Sequence, residues 1–465
     1  MRQRNLVPVA WFLLLLVILC SPVRGQDLTV RGGWLFDAVG DASVRNTVIV
    51  IRGGKFARIG ASAADVDLGA VPLIQLGNDD YILPGIFDLH AHYNLNVLGR
   101  GRIDETDHYS VIYLANGVTS TFPAGEYNPI TMLEMRKRID RGEQIGPRVY
   151  NSGPYYGQSM PRGATAQEVI EQVDMWAALG ARGFKAKRIN PEQLEALIRR
   201  AHQHGLTVTG HLDSGFRNSV NPKDAILMGI DRIEHFLGGE LLPDSQSAYD
   251  SLENLTEAML DSDAFREIVN LFLERGVYFD ATLTAYGYFG KRDEVYLQWV
   301  DESKYFTPEV RRWAAGQPRR VIEQFDRIYA IKHKTLKRFY DAGGRITLGT
   351  DHASTGEYLA GFAAHRELDA FVRAGITPAD ALKIATINGA RALNVSDKLG
   401  SIEVGKFADL FIIRGDPLDD IRNTRNVHTV VKGGVAYDSA ELLRSVEGKL
   451  GPPGTKMPSP PDGAR

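Results

Sequence analysis

Between residues 85 and 393, apolar positions switch repeatedly between two periods. Short runs alternate in twos, as in a strand with two unlike faces. The longer runs that follow recur in threes and fours, as on one side of a helix. The strands this predicts are 86–92, 118–124, 148–153, 183–188, 207–212, 232–236, 277–283 and 345–351. The unit after 183–188 is the most legible. Asn190 can cap a helix, Pro191 suits its first turn and Gln193 completes a capping box. Leu194, Leu197, Ile198 and Ala201 then share one helical face, and Gly205 ends the helix before a strand that opens at Thr207. Eight strands with helices between them predict an α/β fold, a (β/α)8 TIM barrel. Such a barrel gathers its functional groups at the C-terminal ends of its strands.

The flanks read differently. Residues 26–84 predict strands at 28–30, 47–51 and 55–59, broken by Gly-Gly pairs and without a helical period. Residues 394–445 carry a second β-rich block, with strands at 409–413 and 429–432. The two blocks are expected to pair into one small β-sandwich, with the barrel of residues 85–393 inserted between them. Pro84-Gly85 is expected as the turn that launches the first barrel strand. Residues 446–465, rich in Pro and Gly from Pro452, are expected to form a disordered tail. The connection 284–344 is far longer than an ordinary strand-to-helix link. Its aromatics include Tyr286, Tyr288, Phe289, Tyr296, Trp299, Tyr305, Phe306 and Trp313. Tyr286 and Tyr288 are expected to roof the site and shape substrate choice; the opposing reading is that these rings form the insert's own core.

The first 25 residues carry no fold information. Arg2 and Arg4 precede an apolar run from Leu6 to Cys20, too short for a comfortable membrane span. Val23-Arg24-Gly25 offers small residues for cleavage before Gln26. This is the pattern of a signal peptide, so the chain is expected to be exported, periplasmic or secreted, without stable membrane insertion after cleavage. A retained anchor is the alternative. Removing Arg2, Arg4 and Arg24 takes the formal charge from −3 to −6. No basic excess exists to neutralise phosphates, so nucleic acid is not an expected partner. Cys20 is the only cysteine. The mature chain therefore has no disulfide, no thiolate ligand and no cysteine nucleophile.

Candidate chemistry collects at the predicted strand ends. In Leu83-Pro84-Gly85-Ile86-Phe87-Asp88-Leu89-His90-Ala91-His92, the period of two puts His90 and His92 on one face. Lys185 lies in the fourth strand, His211 near the end of the fifth, His235 near the end of the sixth, and Asp351 ends the eighth. Four imidazoles, a carboxylate and an amine around one barrel mouth can hold one or two divalent cations. Asp88 falls beneath His90, either orienting a ligand or pairing within the barrel. His108, His202 and His204 read as surface residues, and His365 as structural.

With these motifs the sequence resembles the amidohydrolase superfamily, in its imidazolonepropionase-like and Xaa-Pro dipeptidase-like branch. Lys185, His211, Glu234-His235, Gly349-Thr350-Asp351, Ala385-Thr386-Ile387-Asn388-Gly389-Ala390 and the run Gly400 to Leu410 extend the resemblance over about residues 30 to 440. It implies a hydrolase of carbon–nitrogen bonds that holds two divalent metals, zinc being expected. In that pattern His90 and His92 bind one metal, His211 and His235 the other. A carbamate on Lys185 bridges them, and Asp351 serves the first metal. Two cations lower the pKa of a bridging water to near neutrality and stabilise an oxyanion. Asp351 is then placed to take the proton and pass it to the leaving nitrogen.

Lys187 shares a face with Lys185 and could also be carbamylated. The deeper lysine, between Phe184 and Ala186, has the lower pKa, so Lys187 is assigned to the substrate's anionic end. The expected partner is a small molecule with an amide, peptide or cyclic amide bond. The same site could serve a lactonase, an arylesterase or a phosphotriester hydrolase. A metal-free barrel acting as a binding module is the non-enzyme alternative, and it would not have kept every ligand.

Overall fold

The computed structural model describes residues 26–451, apart from 46–47, 61–70, 96–101, 162, 213–219, 236, 242–253, 290–301, 316–322 and 353–358. The leader 1–25, Tyr296, Trp299, the Tyr288 side chain and residues 452–465 lie outside the described residues. Barrel strands stand at Ile86–Ala91, Val118–Pro123, Arg148–Val149, Gly183–Lys187, Thr207–His211, Arg232–Glu234, Tyr278–Asp280 and Arg345–Thr347. All eight expected runs are strands. Several ladders end a residue or more early, because His92, His235 and Asp351 leave the pairing pattern at the mouth.

Neighbouring strands pair in parallel from first to third and from fourth to eighth. Backbone hydrogen bonds join the two groups. Arg182 N–H donates to the Asn151 carbonyl at 2.8 Å, and Leu89 N–H to that of Leu348 at 2.9 Å. Asp351 N–H donates to the His90 carbonyl at 2.9 Å, so the eighth strand closes on the first. Each strand is followed by a helix, the best capped being Pro191–Gln203, where both arms of the Asn190–Gln193 capping box are made.

The sandwich is built by both ends of the chain. A four-stranded sheet (Leu28–Arg31, Val48–Arg52, Lys55–Ile59, Leu73–Gln75) faces a six-stranded one. In the latter, Asp80–Pro84 runs antiparallel beside Leu410–Arg414. Val30, Ile49, Ile51, Ile82, Leu410, Ile412 and Val431 fill the space between the sheets. The bidentate pair from Arg148 to Asp409, at 2.6 and 3.0 Å, ties the barrel to this sheet.

Two expectations are corrected here. Pro84-Gly85 is not a turn. Asp80–Pro84 passes into the first barrel strand with only Gly85 between them, and Gly85 N–H donates to the Asp409 carbonyl at 3.0 Å. The glycine serves a close approach instead: a Cβ there would stand 1.9 Å from Thr119 Oγ1. The expected tail from 446 is ordered through Gly451. Ser439–Val446 is a helix packed on the barrel helix Thr106–Ala115, so it leaves the sandwich, and Ser439 Oγ donates to the Ala115 carbonyl at 2.6 Å. Leu450 is buried and pairs through its backbone with Tyr305 and Thr307. Leu442, Val446 and Leu450 supply the apolar spacing that the composition of the last residues concealed.

Candidate active site

The expected ligands meet at the C-terminal mouth of the barrel. His90 Nε2 and His92 Nε2 lie 3.3 and 2.9 Å from Asp351 Oδ1. His90 Nδ1 faces the other way, 3.5 Å from Glu234 Oε2 and 3.7 Å from Asp280 Oδ2. His235 Nε2 is 3.6 Å from Glu234 Oε2 and 3.9 Å from Asp351 Oδ2. Its Nδ1 is engaged by Thr282 Oγ1 at 2.6 Å. The His211 ring sits against His235 with centroids 4.6 Å apart. Lys185 Nζ donates to Glu234 Oε2, on the same oxygen that faces both imidazoles. Two groups, His90–His92–Asp351 and His90–Glu234–His235, each keep their ligating atoms within 4.8 Å of one another.

Backbone conformation explains how adjacent residues reach one point. In a strand, Glu234 and His235 would point to opposite faces. His235 instead adopts φ +68°, in the left-handed region, which breaks the alternation and brings its ring beside Glu234. Arg188, Thr282 and Asp351 do the same just past the fourth, seventh and eighth strands, at φ +53°, +47° and +47°. Of the six non-glycine residues with positive φ among the described residues, four therefore rim this mouth. Such strain costs about 1–3 kcal/mol per residue and clusters at functional sites.

The profile of the amidohydrolase family matches residues 81–436. The chain belongs to the amidohydrolase family. It is a hydrolase acting on carbon–nitrogen bonds. It is 23% identical to an ochratoxinase of Aspergillus niger over a 489-residue alignment covering 90% of this chain and 88% of that one. Its fold superposes on a Xaa-Pro dipeptidase solved with methionine in the active site, at TM-score 0.65 and 24% identity, covering 89% and 100% of the two chains. It also superposes on a molinate hydrolase, at TM-score 0.66 and 20% identity, covering 95% and 99%.

In this amidohydrolase, three further residues, Glu234, Asp280 and Lys332, stand against the candidate ligands without having been given a role from sequence. Glu234 was visible only as the neighbour of His235. Asp280, at the end of the seventh strand, is fully buried, and neither carboxylate oxygen has a hydrogen-bond partner among the described residues. Gly349 makes room for it, since a Cβ there would stand 2.2 Å from Asp280 Oδ2. Lys332, on helix Glu323–Asp341, donates through Nζ to the His235 carbonyl. Its signal was a lysine within a buried stripe of Ile328, Ile331, Thr335, Leu336 and Phe339. Asp88 bonds backbone, not rings: it accepts from His90 N and Thr350 N at 3.1 Å and from Thr350 Oγ1 at 2.7 Å. Burial pushes its carboxyl up to about 6.

Of the aromatics in the long connection, Tyr286 is buried. Its ring is 6.1 Å from that of His235 and stacks on Phe325 at 5.5 Å. The Lys332 ammonium lies 4.1 Å from the Tyr286 centroid. Lys187 Nζ lies 5.5 Å from the centroid of Tyr155, and its charge acts on Lys185 and His211.

The donor set fits a divalent metal. Burial drives His92 down to about 3 against the pull of Asp351, and drives His211 and His235 well below the usual histidine range. Neutral imidazoles are the ligating form. Burial, then the charge of Lys187, holds Lys185 well below the ordinary lysine range, which leaves a neutral amine accessible. Burial works to raise the Asp351 carboxyl, but the imidazoles of His90, His92 and His235 prevail and keep it well below its usual value. Nitrogen and carboxylate donors without thiolate suit zinc and its neighbours.

Replacing Gly349 by alanine is expected to drive the Asp280 carboxylate away from His90 Nδ1. Overpacking of this kind costs about 1–3 kcal/mol. Thermal unfolding and metal content should both fall in Gly349→Ala. Wild-type values for both would show that the Asp280 position does not depend on this gap.

Proposed function

We propose that the chain is an exported amidohydrolase that holds two divalent cations, zinc in the first instance, and hydrolyses amide, peptide or cyclic amide bonds. The observation that carries this is the meeting of His90, His92, Lys185, Glu234, His235 and Asp351 at the barrel mouth, in two groups that share His90. His90, His92 and Asp351 would hold one cation and His211 and His235 the other, and a carbamate formed on Lys185 would supply both with an anionic oxygen donor. When bound, the cations polarise the scissile carbonyl and lower the pKa of a water.

The chain's own groups do the rest. Lys185 Nζ is buried and biased to the neutral amine. As its nitrogen attacks carbon dioxide and the N–C bond forms, Glu234 Oε2 accepts the proton released. Asp351 is held between two imidazoles while its side chain stays 22% exposed toward the mouth. It is placed to take a proton from the attacking water and deliver it to the leaving nitrogen. Export rests on Arg2, Arg4 and the apolar run from Leu6 to Cys20.

The test is metal analysis of the purified chain, followed by chelation. About two equivalents of divalent metal are expected. Chelation should abolish hydrolysis of an amide panel, and zinc with bicarbonate should restore it. A chain that takes up no divalent cation under those conditions would sink this reading.

A further inference from the structure

His235 is held at three points. Its N–H donates to the Asp280 carbonyl at 2.9 Å, and its own carbonyl accepts from Lys332 Nζ. Its Nδ1 lies 2.6 Å from Thr282 Oγ1. The first two bonds lie on either side of a backbone at φ +68°, a conformation that persists only where its surroundings impose it. Without them the chain would relax toward the extended form, which turns the ring to the opposite face.

The third contact sets the chemistry of the ring. A threonine hydroxyl has one hydrogen to give. Thr282 Oγ1 gives it to the Ala281 carbonyl at 2.8 Å. Toward His235 it therefore accepts, so the hydrogen of the neutral imidazole sits on Nδ1 and the lone pair on Nε2. That lone pair faces Glu234 Oε2 at 3.6 Å and Asp351 Oδ2 at 3.9 Å. None of these three acceptors brings a hydrogen of its own, which suits a cation among them.

Both outer groups are themselves fixed. Thr282 sits at φ +47°, and the next two N–H groups, of Leu283 and Thr284, donate to the buried Glu367 carboxylate at 2.7 and 2.8 Å. Lys332 is buried on helix Glu323–Asp341, 4.1 Å from the Tyr286 centroid. His90 is held differently: its ring nitrogens face carboxylates on both sides. We propose that Thr282 and Lys332 are positioning residues for one cation alone, the one assigned to His211 and His235. Thr282 fixes the tautomer of His235, and Lys332 fixes the backbone that aims it. This rests on the two-cation reading of the same site.

The experiment uses the full chain after chelation, with Thr282→Val, Thr282→Ser and Lys332→Met. NMR of the ring nitrogens in the histidine-labelled, metal-free chain reads the tautomer, the His235 signal being identified by its loss in His235→Asn. Titration with cobalt(II) against a competing chelator reads the affinity of each equivalent. The wild type should show Nδ1–H at His235, and Thr282→Val a mixture of both tautomers. In Thr282→Val and Lys332→Met one equivalent should bind about 10–100-fold more weakly, as for loss of an outer hydrogen bond to a ligating histidine, while the other keeps its wild-type affinity. Thr282→Ser should restore both readouts. Thr282→Val is nearly isosteric, so the test does not depend on whether Lys332→Met folds. An unchanged tautomer in Thr282→Val would overturn the proposal, as would two unaltered equivalents, or two that weaken in parallel and so mark a general loosening of the mouth. A wild type that binds fewer than two equivalents, with the tautomer still shifted in Thr282→Val, would uphold the hold on His235 and count against the two-cation reading.

Discussion

Lys185→Ala is expected to lose most of its bound metal and to slow hydrolysis on the order of 10³-fold, the upper range for removing a preorganised electrostatic contact. The side chain is 1% exposed, and its Nζ meets the Glu234 oxygen that also faces His90 and His235. Truncation deletes the amine on which we propose the carbamate forms and leaves the buried Glu234 carboxylate without the hydrogen bond from Lys185 Nζ. Leaving a buried acceptor unsatisfied costs about 1–3 kcal/mol, so the variant should also unfold at lower temperature. Lys187→Ala supplies the contrast. Lys187 is half-buried over Tyr155, whereas Lys185 is fully buried against Glu234, so the metal content of Lys187→Ala should stay at the wild-type value while substrate binding weakens. The measurement is metal content with Tm for both variants. If Lys187→Ala empties the site and Lys185→Ala does not, the two lysines have been assigned the wrong way round.

Asp351→Asn should retain the fold and lower kcat by about 10²–10⁴-fold, the usual range for loss of a general acid–base group. The asparagine amide is nearly isosteric, so packing changes little. What it lacks is the ability to accept and return a proton. The carboxylate lies 2.9 Å from His92 Nε2 and 3.3 Å from His90 Nε2, and those imidazoles hold its pKa well below the usual carboxylate value. In the wild type it is therefore ionised throughout the range where hydrolysis is measured, and it can accept a proton at neutral pH. The decisive comparison is between amides with good and poor leaving groups. Loss of proton delivery penalises the poor leaving group more. An equal loss on both substrates would confine Asp351 to holding metal.

Much of this site was legible before any fold was built, because the information was local. His90 and His92 share a face through a period of two, which is a property of any strand. The Asn190–Gln193 capping box, realised as expected, depends on contacts three residues apart. The eight strand–helix units follow from apolar periodicity, and a barrel mouth follows from their number and order. The same reasoning placed Lys185 deeper than Lys187, and Lys185 is buried where Lys187 is half-buried.

Other features were decided only by residues far apart in sequence. Glu234 and His235 face opposite ways in an ideal strand; the left-handed backbone at His235, whose N–H donates to the Asp280 carbonyl at 2.9 Å, brings them together. The space for Asp280 exists because Gly349, two residues past the next strand, has no side chain. Lys332 comes to the His235 carbonyl from 97 residues away. Gly85 was read as a turn because glycine marks turns locally, whereas here it admits Thr119 from the adjacent strand. Sequence by itself determined which side chains could do chemistry and on which strands they stand, since periodicity and spacing act over a few residues. The tertiary structure alone decided which of them share one point, since that depends on strand closure, on strained backbone and on the gaps that missing side chains leave.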